Sequence, residues 1–234
     1  MRNLKTLVAF PVLSGLLYVS VASTAAAVSL DDLSNREATG GLKEALSAGS
    51  SAAVAKLGVE NGFLNNDKVR IELPRIVEQA KPLLKMTGYG QQLDDLVVSM
   101  NRAAESAVPL AKPLLVNAVK SMSVSDAKNI LTGGETSVTN FFREKTASSL
   151  AVKFLPMVKA TTDRSGLAAK YNATVAQVAK LGLMPEQQST VEGYVTQRAL
   201  DGLYYMIGEE EKSIRRDPIS YGGKLIGKVF GSLN

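Results

Sequence analysis

The stretch Thr190 to Pro218, TVEGYVTQRALDGLYYMIGEEEKSIRRDP, limits the fold more than any other. At about 100° per residue, Val191, Val195, Ala199, Leu200, Leu203, Tyr204, Met206 and Ile207 fall on one arc of roughly 180°. An arc that wide needs several neighbours to cover it. It predicts a central helix in an all-α, single-domain protein. The other side carries a narrow row: Tyr194, Arg198, Asp201, Tyr205, Lys212 and Arg216, with Glu209 beside it. Rows of this kind lie where a core meets solvent, or form the wall of a binding surface, so this row is the candidate interaction surface. In the Glu209-Glu210-Glu211 run, Glu211 to Arg215 is the favourable i,i+4 orientation. Glu210 lies near the apolar arc and is expected to be partly desolvated and paired. A cation site there needs a turn that brings further oxygens to the same point, and none is evident. Asp217-Pro218 is expected to end the helix.

The chain has no Cys, no His and no Trp. Without His, Ser-His and Cys-His nucleophilic catalysis, most catalytic zinc sites and His-ligated haem are excluded. Without Cys there is no disulfide, so the core alone must hold the fold. The first 27 residues read as a signal peptide. Arg2 and Lys5 make a positive start, Leu7 to Val21 is apolar, and Ala25-Ala26-Ala27 fits a cleavage site. That run is short for a membrane span. The expectation is export to the periplasm with cleavage after Ala27 and one domain over 28–234. Without Arg2 and Lys5, 25 basic residues face 22 acidic ones. This balance argues against nucleic acid as a partner.

Further helices follow from periodicity. Ser34 and Glu37 form a capping box ahead of the stripe Leu42, Leu46, Gly49, Ala53 and Leu57. Gly58 to Asp67 reads as a loop, and KVRIEL (68–73) as an extended connector or at most one very short strand or hairpin. Pro74 opens a helix with Ile76, Val77, Ala80, Leu83 and Leu84 apolar, closed by Gly88 and Gly90. Leu93, Leu96, Val97, Met100, Ala104 and Ala107 give the cleanest stripe, with Asp94, Asp95, Arg102 and Glu105 on its outer face. Pro109 and Pro113 must kink or restart the chain before Leu114, Leu115, Ala118, Val119 and Met122. The pentapeptide AKPLL occurs at 80–84 and at 111–115, but the flanks differ and no repeat is inferred.

Ser125 reads as the N-cap of a short helix to Leu131. Ser125 and Lys128 also match S-x-x-K, the nucleophile pattern of penicillin-binding enzymes, but no K-T-G accompanies it. Val138, Phe141 and Phe142 lie on one face, and Leu150, Ala151, Phe154, Leu155 and Val158 on another, which predicts a break near 145–149. A helix is expected from Gly166 to Gly182, with Leu167, Tyr171, Val175 and Val178 buried. In the last segment, Gly223, Gly227 and Gly231 recur every four residues beside Lys224 and Lys228. Residues 219–234 are expected to dock on the domain, or to lie on a membrane surface as an amphipathic helix. In all, eight to ten helices are expected.

Several segments together resemble a bacterial domain-of-unknown-function family, number 4197. They are Leu33-Ser34-Asn35, Gly41 to Leu46 (GLKEAL), Met100 to Glu105 (MNRAAE), Ile130 to Gly134 (ILTGG), Tyr194-Val195-Thr196 and Ala199 to Leu203 (ALDGL). The resemblance implies an exported, mainly helical protein of Gram-negative bacteria, with no activity, cofactor or catalytic residue attached. The functional expectation is a non-enzymatic periplasmic protein that binds a partner or supports the cell envelope. The alternatives are a carrier of a lipid or apolar ligand between kinked helices, and a hydrolase using Glu105, Asp201, Glu209 and Glu210. No cofactor or metal is expected.

Overall fold

Val191–Arg216 forms an unbroken helix of 26 residues that packs against three others. The computed structural model describes residues 35–86, 88–164, 168–169, 172 and 190–217. In chain order the helices are α1 (Asn35–Leu57), α2 (Arg75–Met86), α3 (Gly90–Ala107), α4 (Ala111–Lys120), α5 (Val124–Thr132), α6 (Ser137–Thr162) and α7 (Val191–Arg216), with a 3-10 turn at Val108–Leu110. Among the described residues there is no strand, and the fold is all-α. The helices expected over 166–182 and 219–234, the Ser34 cap and the signal peptide lie outside the described residues, except Ala168, Ala169 and Asn172. No described helix is long and apolar enough to cross a membrane.

The wide arc of α7 explains its central place. Val191, Val195, Ala199, Leu200, Leu203, Tyr204 and Ile207 are all buried, and Met206 is half-buried. They pack on α6, α1 and α3 at once. Thr190 starts the helix by accepting the Gly193 amide at 3.0 Å, which satisfies one of the first-turn donors. Glycine at 202 has a specific cause. A Cβ there would lie 2.7 Å from the buried Phe63 ring, so the 58–73 segment can approach α7 only over a glycine.

KVRIEL begins in a turn, with the Val69 and Arg70 amides donating to the Asn66 carbonyl at 3.0 and 2.8 Å, and continues as an irregular connector over 70–73, with Val69, Ile71 and Leu73 buried. It lacks a strand partner, and side chains of α3 take up its backbone instead. Asn101 accepts the Ile71 amide at 2.9 Å and donates to the Ile71 carbonyl at 2.9 Å. One carboxamide thus replaces a neighbouring strand at that residue.

Two expectations are corrected. The first is the break near 145–149: α6 runs through it from Ser137 to Thr162. Its buried residues include Val138, Phe142, Thr146, Leu150, Phe154, Val158 and Thr162, each four positions after the last. A four-residue step overshoots one turn by about 40°, so the stripe winds around the helix to meet α7, α3 and α4. The polar Thr146 hides this continuity in the sequence. Its hydroxyl donates to the Phe142 carbonyl at 2.6 Å, which leaves the buried Tyr204 hydroxyl to donate to Thr146 at 2.9 Å.

The second correction concerns α5, whose N-cap is Ser123 and not Ser125. Ser123 accepts the Asp126 amide, and the Asp126 carboxylate accepts the Ser123 amide, in a reciprocal capping box. These bonds hold the Asp126 carboxyl below its ordinary range. Ser125 is an exposed first-turn residue. On α2, Leu83 is 66% exposed while Leu84 packs on the core. The prolines act as expected: α3 stops at Ala107, Pro109 sits in the 3-10 turn, and Pro113 lies in the first turn of α4. The two AKPLL copies fall at unlike places, mid-α2 and the start of α4.

Ser123→Ala is expected to lower unfolding free energy by about 1 kcal/mol, and Ser125→Ala by less than about 0.5 kcal/mol. Urea unfolding of both variants checks this, and the reverse order would contradict the assignment of the cap.

Candidate functional site

The row on α7 begins one turn later than expected. Tyr194 is 8% exposed, and its hydroxyl donates to the Glu72 carbonyl of the connector at 3.1 Å. Buried phenols need such a partner, which is why this tyrosine joins the core. Its ring still supports the wall, because the Arg198 guanidinium lies over it at 5.2 Å. Arg198, Asp201, Tyr205, Glu209 and Lys212 remain at least partly open to solvent. Glu209 and Lys212 pair at 3.0 Å, and Gln197 donates to Asp201 at 3.1 Å. Arg216 ends the row, exposed. Gly223, Gly227 and Gly231 lie outside the described residues.

The neighbouring helix adds a residue that no pattern within one helix marks out. Arg143 of α6 lies over the Tyr204 ring at 4.7 Å and reaches Asp201 at 3.5 Å. Arg198 reaches the other oxygen of Asp201 at 3.8 Å. Two cations therefore flank one carboxylate, each resting on a tyrosine ring. Both separations exceed the roughly 2.7–2.9 Å of a charge-assisted hydrogen bond. Among the described residues neither guanidinium donates a hydrogen bond. Both side chains are about half exposed, at 47% and 51%. The helix spacing of 198 and 201 was legible; the placing of 143 beside 201 belongs to the α6–α7 packing.

The carboxylates proposed for hydrolysis are not brought together. Glu105 was placed on the outer face of α3, but it is 5% exposed. It accepts the amides of Phe63 and Leu64 at 3.0 and 3.1 Å and pairs with Arg102 at 2.5 Å. The irregular 58–73 segment draws it inward, because buried amides need acceptors. Arg102 then reaches Glu60 and Asn61, the latter held at φ 68°. Glu210 is buried and paired with Lys56 of α1, as its position beside the apolar arc suggested. Asp201 and Glu209 stand about 12 Å apart along α7 by helix rise. The glutamate run thus serves three separate partners: Lys212, Lys56 and Arg215.

Glu211 is the most tied of the three. Its carboxylate accepts the Val138 and Thr139 amides at 3.3 Å each, at the open N-terminus of α6. Arg215 pairs with it at 3.0 Å and also donates to the Ile130 carbonyl at the end of α5. Burial pushes the Glu211 carboxyl above its ordinary range, and the Val138 amide and Arg215 offset that only in part.

Between α1, α6 and α7, a crevice lined by Leu46, Gly49, Phe142, Ile207 and Ile214 has room for about one water molecule. A carrier of an apolar ligand uses a cavity of roughly 300 Å³ or more. Ser125 and Lys128 of the S-x-x-K pattern are both exposed on α5. Among the described residues, no group of three or more acidic side chains is placed to hold a metal ion.

A family model described as a protein of unknown function (DUF4197) matches residues 32–231, most of the chain. No curated protein and no solved structure matches.

The raised folded pKa of Glu211 fixes a sign. The group favours folding fully below its unfolded pKa of about 4.3, and that contribution is lost as pH rises through the folded value. Glu211→Gln does not titrate. Between pH 7 and pH 5 the stability difference, wild type minus variant, is expected to move in favour of the wild type. Urea midpoints at both pH values measure it; a shift in favour of the variant would contradict the account.

Proposed function

Since the chain belongs to the DUF4197 family, whose function is unknown, we propose from its fold that it is a non-catalytic interaction module. It is exported to the periplasm, and it engages a partner in the cell envelope through the α6–α7 face. The observation that carries this reading is the pair Arg143 and Arg198. Their guanidiniums rest on tyrosine rings, flank Asp201 and donate no hydrogen bond among the described residues. Guanidinium groups supported on rings while their N–H groups face solvent are suited to recognition.

The interior supports the same reading. Three of its four buried carboxylates among the described residues, Glu105, Glu210 and Glu211, are engaged by backbone amides or by cations, and the fourth, Glu192, accepts from the Asn172 side-chain amide and the Thr162 hydroxyl. Export rests on the sequence: Arg2, Lys5, the apolar run to Val21 and Ala25-Ala26-Ala27.

One experiment in cells covers both parts. A photo-crosslinking amino acid is placed at Tyr205, which is 38% exposed, and at Lys112 on α4 as a control. The expected outcome is a discrete crosslinked species at 205 and none at 112, in a periplasmic extract, with the uncrosslinked chain starting at Val28. Equal patterns at both positions would refute the interaction face, and a chain retained in the cytoplasm with Met1 in place would refute export.

A further inference from the structure

We propose that the α6–α7 face binds an acidic peptide segment, with Arg143 and Arg198 as the paired recognition cations. This deepens the reading of that face as an interaction surface and rests on it. Arg198, Asp201, Tyr205, Glu209 and Lys212 share one side of α7, and the distance from 198 to 212 is about 21 Å along the axis. An extended peptide of six or seven residues, at about 3.3 Å each, covers that length. Arg143 lies beside the start of this track, 3.5 Å from Asp201.

Charge chooses the ligand class. Asp201 and the Glu209–Lys212 pair leave the two arginines as the cations without a hydrogen-bonded acceptor on the track. Each guanidinium holds its orientation through ring stacking, at 4.7 and 5.2 Å, so little freedom is lost when a carboxylate arrives. Bidentate guanidinium–carboxylate bonds are the strong form of this contact. Asp201 between the arginines repels a compact dianion placed across both. Side-chain carboxylates spaced along a peptide avoid it, and the peptide N–H groups find an acceptor in it. A phosphate headgroup has neither advantage.

The test uses the full mature chain and a fluorescein-labelled hexaglutamate peptide, read by anisotropy at about 50 mM salt, where screening is mild. Hexaglutamine peptide and phosphatidylglycerol vesicles are the comparison probes. Hexaglutamate is expected to bind, hexaglutamine not, and the vesicles more weakly. In R143Q/R198Q the affinity is expected to fall about tenfold or more, whereas K85Q/K112Q, which removes two exposed cations elsewhere, changes it less than about twofold.

A second variant keeps the test open if R143Q/R198Q loses its melting transition. In D201N the repelling charge is gone and hexaglutamate is expected to bind several-fold more tightly. Equal loss in both double variants, weaker binding by D201N, or binding to vesicles without binding to the peptide would each overturn the proposal. The crosslink at Tyr205 is independent of all of these. If it persists while hexaglutamate fails, the interaction face stands and its acidic ligand does not.

Discussion

The Glu211 carboxylate, seated on the first amides of α6, ties three helices together through its own bonds and those of Arg215. It closes the open N-terminus of α6 with a residue from the last turns of α7. Its partner Arg215 carries the connection to the end of α5. One turn of α7 thereby holds two helix ends, the start of α6 and the end of α5, in a protein with no cysteine to do so covalently. The placement has a cost, since burial raises the carboxyl above its ordinary range. Helix-end amides and a cation make that cost tolerable.

The same device recurs at the other irregular part of the structure. Between Gly58 and Leu73 the backbone belongs to no helix, yet Phe63, Ile71 and Leu73 are buried. Buried amides without partners would each cost about 1–3 kcal/mol. Glu105 and Asn101, both on α3, supply those partners. Glycine at 202 then lets Phe63 close against α7. On the surface, Arg143 and Arg198 flank Asp201.

Much of this was legible in the sequence. The stripes of α1 and α3 and the arc of α7 followed from helical spacing, because burial by neighbouring helices obeys the same period. What escaped notice depended on polar residues inside. Thr146 interrupted the apolar pattern of α6 while its hydroxyl kept the position buried. Glu105 looked solvent-facing because the loop that needs it lies some forty residues earlier. Ser123 escaped because Ser125, two residues on, offers the same capping side chain. The segments MNRAAE, ALDGL and ILTGG, which carried the family resemblance, acquire a physical meaning here. They contain the Asn101 and Glu105 acceptors, the Gly202 gap and the Ile130 carbonyl that Arg215 meets. At the proposed interaction surface, the α7 residues could be read from one helix, whereas Arg143 needed the packing of two.

The central claim is that buried side chains substitute for secondary structure in holding the 58–73 segment. Amide hydrogen exchange on the native protein tests it most directly. The amides of Phe63, Leu64 and Ile71 are predicted to exchange as slowly as those in the middle of α3, because each is bonded to a residue of that helix. Exchange of these three amides at the rate of the neighbouring Glu72 amide would contradict the account.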